Sequence, residues 1–217
     1  SGIMDTDLGA VARGCATITS IDISECLNVT DEGIKHIVTN LTDLQCLNID
    51  GCESLTSHSL NLIRTYSAQT LHTFFLSSMV YDGDMQQREN DHTALDILFS
   101  VCQNLRKLRW YDMSYRNPPY ELSPSIYYLT TLILGYDAIC DTNLIVVAEY
   151  CLKLQNLSIE FMDHVEIMDN IDKGLHSVAH GCPELQNLSI DFKSYYKMRY
   201  HPYIDGALAL FKELKPN

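Results

Sequence analysis

Apolar positions alternate with polar ones in a short phrase that returns throughout the chain. It is clearest in Leu44-Gln45-Cys46-Leu47-Asn48-Ile49-Asp50-Gly51-Cys52, an L-x-x-L-x-I-x-x-C pattern. The same first, fourth and sixth positions recur as Ile18/Ile21/Ile23, Leu71/Phe74/Leu76, Leu105/Leu108/Trp110, Leu129/Leu132/Leu134, Leu154/Leu157/Ile159 and Leu185/Leu188/Ile190. The seven phrases begin at 18, 44, 71, 105, 129, 154 and 185, in steps of 26, 27, 34, 24, 25 and 31 residues. Alternation at positions four and six predicts a short strand with one face buried.

Between strands the period changes from two to that of a helix. After the first strand, Val29-Thr30-Asp31-Glu32-Gly33-Ile34 opens a run in which Ile34, Ile37, Val38 and Leu41 form one helical stripe. Ile139-Cys140-Asp141-Thr142-Asn143-Leu144 opens the equivalent run after the fifth. A Thr or Asp at this point caps a helix by accepting backbone N–H groups. Each repeat is therefore strand, turn, capped helix and return. Such a unit cannot hide its own apolar side and must stack on its neighbours. A strand phrase with a period in the high twenties predicts an α/β leucine-rich-repeat solenoid, a horseshoe arc with a parallel sheet on the concave face and helices on the convex face. Residues 1–217 are expected to form a single domain of this kind. It has a half repeat over 1–17, whose helix lies near 3–15, then full repeats from 18, 44, 71, 105, 129, 154 and 185. Because the pattern begins in mid-repeat, a piece of a longer solenoid is expected.

Four stretches break the regular length. Residues 81–92 are a polar insertion, 112–125 carry Pro118, Pro119 and Pro124 and are expected to return in extended form, and 161–170 and 192–203 are further extra segments. All follow a strand, so they are expected on one rim, and insertions gathered on one side of a repeat array mark its binding side. Tyr115, Tyr120, Tyr195, Tyr196 and Tyr200 fall in them. Tyrosine on loops over a rigid scaffold is the composition of a protein-binding surface. A last helix is expected from about Ile204 to Leu214, stopped by Pro216.

Positions three, five and seven of each phrase point away from the core. Most are small or polar, but the fourth strand presents Lys107, Arg109 and Tyr111, with Arg106 beside them at position two. Outward cations on a central strand either pair an acidic or phosphorylated peptide or neutralise neighbouring carboxylates. Position eight is aromatic in the last three phrases, as Tyr136, Phe161 and Phe192. With strands about 4.8 Å apart these rings either stack as a contact ladder or pack beneath the rim loops. Glu160 and Asp191 share one strand position in adjacent repeats, an arrangement suited to a basic ligand. These nine residues, Arg106, Lys107, Arg109, Tyr111, Tyr136, Glu160, Phe161, Asp191 and Phe192, are the candidate partner-binding set.

The formal charge of −13 argues against nucleic acid, which calls for a basic stripe. There is no run of 18 apolar residues, so no membrane span is expected, and no signal-peptide pattern opens the sequence. The eight cysteines keep to repeat positions. Cys15, Cys102, Cys151 and Cys182 stand three residues before a phrase, whereas Cys26 and Cys52 hold its ninth position, where other repeats have Met79, Met113 and Met162. A site that accepts cysteine or methionine wants a soft apolar filler, so reduced thiols and a cytoplasmic or nuclear location are expected. His176 and His180 share a helical face, but a zinc site needs further ligands and no C-x-x-C is present. The sequence contains no G-x-S-x-G, P-loop or G-x-G-x-x-G. No catalytic residue and no cofactor are therefore expected.

The phrase L-x-x-L-x-L-x-x-C, followed by an I-T-D-x-G-L-like element and a helix ending in G-C-P-x-L, resembles the cysteine-containing leucine-rich repeat of F-box/LRR proteins. Residues 14–34 and 172–190 carry it best, the latter through Asp172-Lys173-Gly174-Leu175 and Gly181-Cys182-Pro183-Glu184-Leu185. The resemblance extends over the chain but is weakest at 105–128, which lacks the T-D-x-G-L element. It implies a protein or peptide ligand held on the concave face and rim loops, and a substrate-receptor role in a ubiquitin-ligase adaptor. The ligase core would dock through an F-box that these residues do not contain. The residues themselves leave a second function open, a free-standing adaptor or inhibitor whose acidic ends grip a basic protein.

Overall fold

The computed structural model describes residues 2–77, 97–112, 126–136, 139–161 and 171–192. The four inserted segments and the expected C-terminal helix lie outside the described residues, apart from strand residues at 112, 161 and 192. So do the rim tyrosines.

Every strand begins at the third position of its phrase: β1 Ser20–Asp22, β2 Cys46–Asn48, β3 Thr73–Ser77, β4 Lys107–Asp112, β5 Thr131–Tyr136, β6 Asn156–Phe161 and β7 Asn187–Phe192. Helices α1 Asp5–Gly14, α2 Asp31–Asn40 and α3 Ser57–Ser67 accompany the early strands, with a helical segment α4 over 97–101, then α5 Asp141–Tyr150 and α6 Asp172–Gly181. The seven strands follow one another in one sheet in chain order. The fold class is the expected one, an α/β leucine-rich-repeat solenoid with a parallel sheet. The chain divides into two compact units, 1–109 and 110–217.

The core forms where the alternation placed it. In the inner phrases positions four and six are buried, as Leu47 and Ile49, Phe74 and Leu76, Leu108 and Trp110, Leu132 and Leu134, and Leu157 and Ile159. In the outermost strands Ile21, Leu188 and Ile190 are half-buried, because a strand at the edge of a sheet has one neighbour. In α2 the residues Ile34, Ile37 and Val38 are buried and Leu41 closes the stripe, as read from the sequence.

A recurring backbone device holds the step between repeats. The carbonyl at position two accepts the N–H groups of positions two and three of the next repeat. Thr19 receives Gln45 and Cys46 at 2.7 and 3.0 Å, and Gln45 receives His72 and Thr73 at 2.8 and 3.0 Å. Within the second unit Thr130 receives Gln155 and Asn156, and Gln155 receives Gln186 and Asn187. Parallel pairing follows in register, with Asp22 opposite Asn48 and Asn48 opposite Phe75, and with Glu160 opposite Asp191.

The helices are tied by the Thr-Asp element, and more widely than simple capping requires. Thr30 caps its own helix through the Glu32 amide at 3.3 Å, and Thr56 does so through His58 at 3.2 Å. The adjacent aspartate reaches into the next repeat. Asp5 accepts the amide and hydroxyl of Thr30 at 2.9 and 2.7 Å. Asp31 accepts the amide and hydroxyl of Thr56 at 3.0 and 2.6 Å, and the hydroxyl of buried Ser59. In the second unit Asp141 accepts the Gly174 amide at 2.6 Å, at the start of a helix with no side-chain cap of its own. Gly33 is small for the same reason, since a Cβ there would collide with the Asp5 carboxylate. At the Thr position of α5, Cys140 takes over, its sulfur accepting the Asn143 amide at 3.4 Å.

Position eight separates the short early strands from the long late ones. Gly51 turns there with φ +68°, and Glu25 adopts the same left-handed conformation with φ 57°, which costs a residue bearing a Cβ about 1 kcal/mol. β1 and β2 end in this turn after three residues, whereas β4 to β7 run six residues and carry their chain straight past it.

Two stability predictions follow. Asp31→Ala should lower the unfolding free energy in urea titration by about 2–4 kcal/mol, because it strands a charge-assisted set of donors. A cycle with Thr56→Val should show coupling of about 1 kcal/mol. A loss below about 0.5 kcal/mol would deny the aspartate its linking role. Glu25→Gly should raise stability by about 1 kcal/mol and Gly51→Ala lower it by about 1–2 kcal/mol. Equal behaviour of the two positions under these changes would contradict the shared turn.

Candidate functional site

Positions four and six pack into the core with the described helices, and positions three, five and seven point to the other side of each strand. In the first unit that face is knitted together laterally. Asp22 accepts the Ser24 amide and hydroxyl at 2.9 and 2.7 Å, and the Asn48 side-chain amide at 2.9 Å. The Asn48 oxygen accepts the Asp50 amide at 3.1 Å, and Ser77 accepts the Gly51 amide at 2.7 Å. Arg109 Nη1 lies 3.6 Å from Asp50 Oδ2, and its guanidinium stands over the Phe75 ring at 4.6 Å. Lys107 Nζ approaches the same ring at 5.2 Å.

Burial by itself raises the Asp22 carboxyl. The Ser24 amide and hydroxyl, the Asn48 amide and the Arg109 charge outweigh that effect and hold it below its ordinary 3.8. These donors favour the ionised form, so the carboxylate stays charged and fixed.

In the second unit position three forms an amide ladder. Asn187 donates to Asn156 at 2.7 Å, and Asn156 donates to the Thr131 hydroxyl at 3.3 Å. At position seven the Tyr111 hydroxyl donates to Glu160. The Tyr111 ring lies across Gly135, where a Cβ would meet ring atoms at 2.5 and 2.8 Å. Glycine at this position is what lets the tyrosine lie flat and reach the carboxylate.

The nine candidate residues separate accordingly. Lys107 and Arg109 come together over Phe75. Arg106 does not join them; its Nη1 donates to the carbonyls of Gln103 and Leu105 at 2.8 and 3.0 Å, which ties it to its own turn. Tyr111 is buried, 6% exposed, and Phe161 is buried at 5%. Both point where the alternation put them, but their surface is spent on neighbouring groups and little is left to offer a partner. Glu160 is half-buried and faces exposed Asp191 across β6 and β7. Tyr136 ends β5, and Phe192 pairs with Phe161 in backbone register; their side chains lie outside the described residues. His176 and His180 are both exposed on α6. Among the described residues no three His, Cys, Asp or Glu side chains gather in a metal-binding group, and no helix is long and apolar enough to cross a membrane.

Sequence reasoning missed Phe75 as the ring that collects the two cations, and the fixed row Asp22–Asn48. The usable signal was alignment, since Asp22, Asn48, Phe75 and Arg109 all hold position five. All eight cysteines are free. Cys15 is exposed and Cys46 half-buried; among the six buried ones the filler role includes hydrogen bonding. Cys52 Sγ lies 3.0 Å from the Ile23 carbonyl and donates to it, and burial pushes its thiol up to about 11. Cys102 is pushed up to about 12, and Cys151 is also raised, by burial first and then by Cys182.

No protein-family model matches the chain. Among solved structures the fold is similar to one in the crystal structure of the Rad7–Elc1 complex of yeast, with a TM-score of 0.53 and 15% identity. The match covers 90% of this chain and 56% of the other, so this chain spans little more than half of that length. The leucine-rich repeat-containing protein LegL7 of Legionella pneumophila aligns at a TM-score of 0.39 and 11% identity, over 98% of this chain and 87% of that one. At 15% identity the likeness to the first of these is one of fold alone.

A pH prediction follows from Asp22. Its folded value is depressed, so its contribution to stability is present at neutral pH and is lost as pH falls below 3.8 through the folded value. Urea titrations should show Asp22→Asn less stable than wild type at pH 7, with the gap closing in acid. A gap that widens in acid would contradict the assignment.

Proposed function

We propose that this chain is a protein-recognition module that binds a protein or peptide on the face of its sheet formed by positions three, five and seven. More specifically, it is the substrate-receptor region of an F-box/LRR-like ubiquitin-ligase adaptor acting in the cytoplasm or nucleus. The observation that carries the reading is the lateral fixing of outward polar side chains, Asp22 with Ser24 and Asn48 in one unit and Asn187 with Asn156 and Thr131 in the other. A face whose side chains are already held loses little rotamer freedom on binding, the main route by which a scaffold gains affinity without chemistry. The ligase assignment rests on the sequence resemblance at residues 14–34 and 172–190, and the fold likeness to a structure of the Rad7–Elc1 complex agrees with it. In the second unit the facing carboxylates Glu160 and Asp191 favour the other reading, a free-standing adaptor or inhibitor for a basic protein.

The test is quantitative affinity purification of the full-length gene product from its own cells, with two variants. Ser158→Arg/Ser189→Arg places bulk on the sheet face, and Lys173→Glu alters an exposed residue of α6. Recovery of partners should fall about tenfold or more for the first and stay unchanged for the second. Loss through α6 alone would overturn the sheet-face reading. Co-purification of a ubiquitin-ligase core supports the receptor role; its absence alongside a retained partner transfers the chain to the adaptor class.

A further inference from the structure

The cations of β4 have unequal work. Arg109 is held between Asp50 at 3.6 Å and the Phe75 ring at 4.6 Å, and its charge also reaches Asp22. Arg106 serves turn carbonyls. Lys107 stands 5.2 Å over Phe75, and among the described residues no carboxylate lies within ion-pair distance of it. The ring attracts an ammonium but carries no net charge, so it leaves the positive charge of Lys107 in place. Among the described residues, Asp50 and Asp22 thus answer Arg109, and the Lys107 ammonium is met by the Phe75 ring.

The row leading to Lys107 is made of small side chains. Ser20, Cys46 and Thr73 stand in register at position three of β1, β2 and β3. Phe75, half-buried, flanks that row at position five. The carboxylates of the same face are committed within it, Asp22 to Ser24 and Asn48, and Asp50 to Arg109. A basic side chain arriving here meets anions that already have partners. An anionic one meets Lys107, which has no carboxylate partner among the described residues.

Resting on the protein-recognition reading above, we infer that the partner segment presents an anionic side chain, a carboxylate or a phosphorylated hydroxyl, to Lys107. Its neighbouring apolar atoms lie on Phe75, and its backbone crosses the Ser20–Cys46–Thr73 row. The net charge of −13 repels an acidic segment at long range, so the Lys107 ammonium sets where such a segment lands. The contact supplies selectivity and orientation more than bulk affinity.

The test is selection of a phage-displayed random peptide library on the immobilised chain, followed by fluorescence polarisation with one selected peptide, its acid-to-amide version and a phosphoserine version. Selected peptides should be enriched in Asp and Glu, and the amide version should bind weaker. The phosphoserine version separates a preference for phosphate from one for carboxylate. Lys107→Glu should weaken the acidic peptide about tenfold, Lys107→Gln less, and Lys107→Arg and Lys173→Glu hardly at all. Lys107→Gln keeps the test open if charge reversal disturbs folding, which a thermal melt reports. Selection of basic or neutral peptides, failure to select any, or equal binding by Lys107→Gln overturns the inference. Neutral or basic peptides that are lost on Phe75→Ala leave sheet-face recognition standing, whereas peptides indifferent to every sheet-face change overturn both.

Discussion

A carboxylate at the first residue of one helix, gripping the threonine that opens the next, is the contact on which the stacking of these repeats depends. Hydrophobic burial drives the strands and helices together, but burial is indifferent to small slips along the stack. The link from Asp31 to Thr56 is not indifferent, because it needs an amide and a hydroxyl at fixed places 25 residues away. Hydrogen bonds to a charged acceptor are also the stronger kind, worth about 1.5–3 kcal/mol each. Thr, Asp and Gly at their spacing are therefore one device: a cap for the present helix, an anchor for the following one, and the space that the preceding anchor needs.

Fixed steps between repeats place equivalent side chains in rows, and the rows are what the exposed face offers. In the first unit the position-five row runs Asp22, Asn48, Phe75, Arg109, a carboxylate, an amide, a ring and a guanidinium that satisfy one another in part. In the second unit the position-three row is a run of amides and a hydroxyl, and Tyr111 reaches Glu160 across glycine. Both are polar surfaces fixed before any partner arrives. That is the physical basis for reading the chain as a recognition scaffold, with selectivity lying in which charges remain uncancelled.

The fold was legible because the strand and helix periods are long-lived signals. Every strand starts at the third position of its phrase, and the α2 stripe from Ile34 to Leu41 is buried where the spacing put it. The linking aspartates were not legible. A local reading assigns Asp31 to its own helix, whereas its partners sit in the next repeat, a distance no short window spans. The left-handed Glu25 was hidden for a related reason, since only its equivalence to Gly51 reveals the turn. The candidate site was legible as a set of outward positions but not as chemistry. Alternation cannot say that Tyr111 is buried by its surroundings or that Arg109 is already claimed by Asp50. It also could not single out Lys107.

Amide hydrogen exchange followed by NMR tests the linking contact most directly. Thr30 and Thr56 are exposed residues at helix starts, where amides ordinarily exchange freely with water. Here each amide donates to an aspartate of the preceding repeat, at 2.9 and 3.0 Å. The account predicts that both exchange as slowly as amides inside the neighbouring strands. Exchange at the rate of an unprotected helix terminus would contradict it.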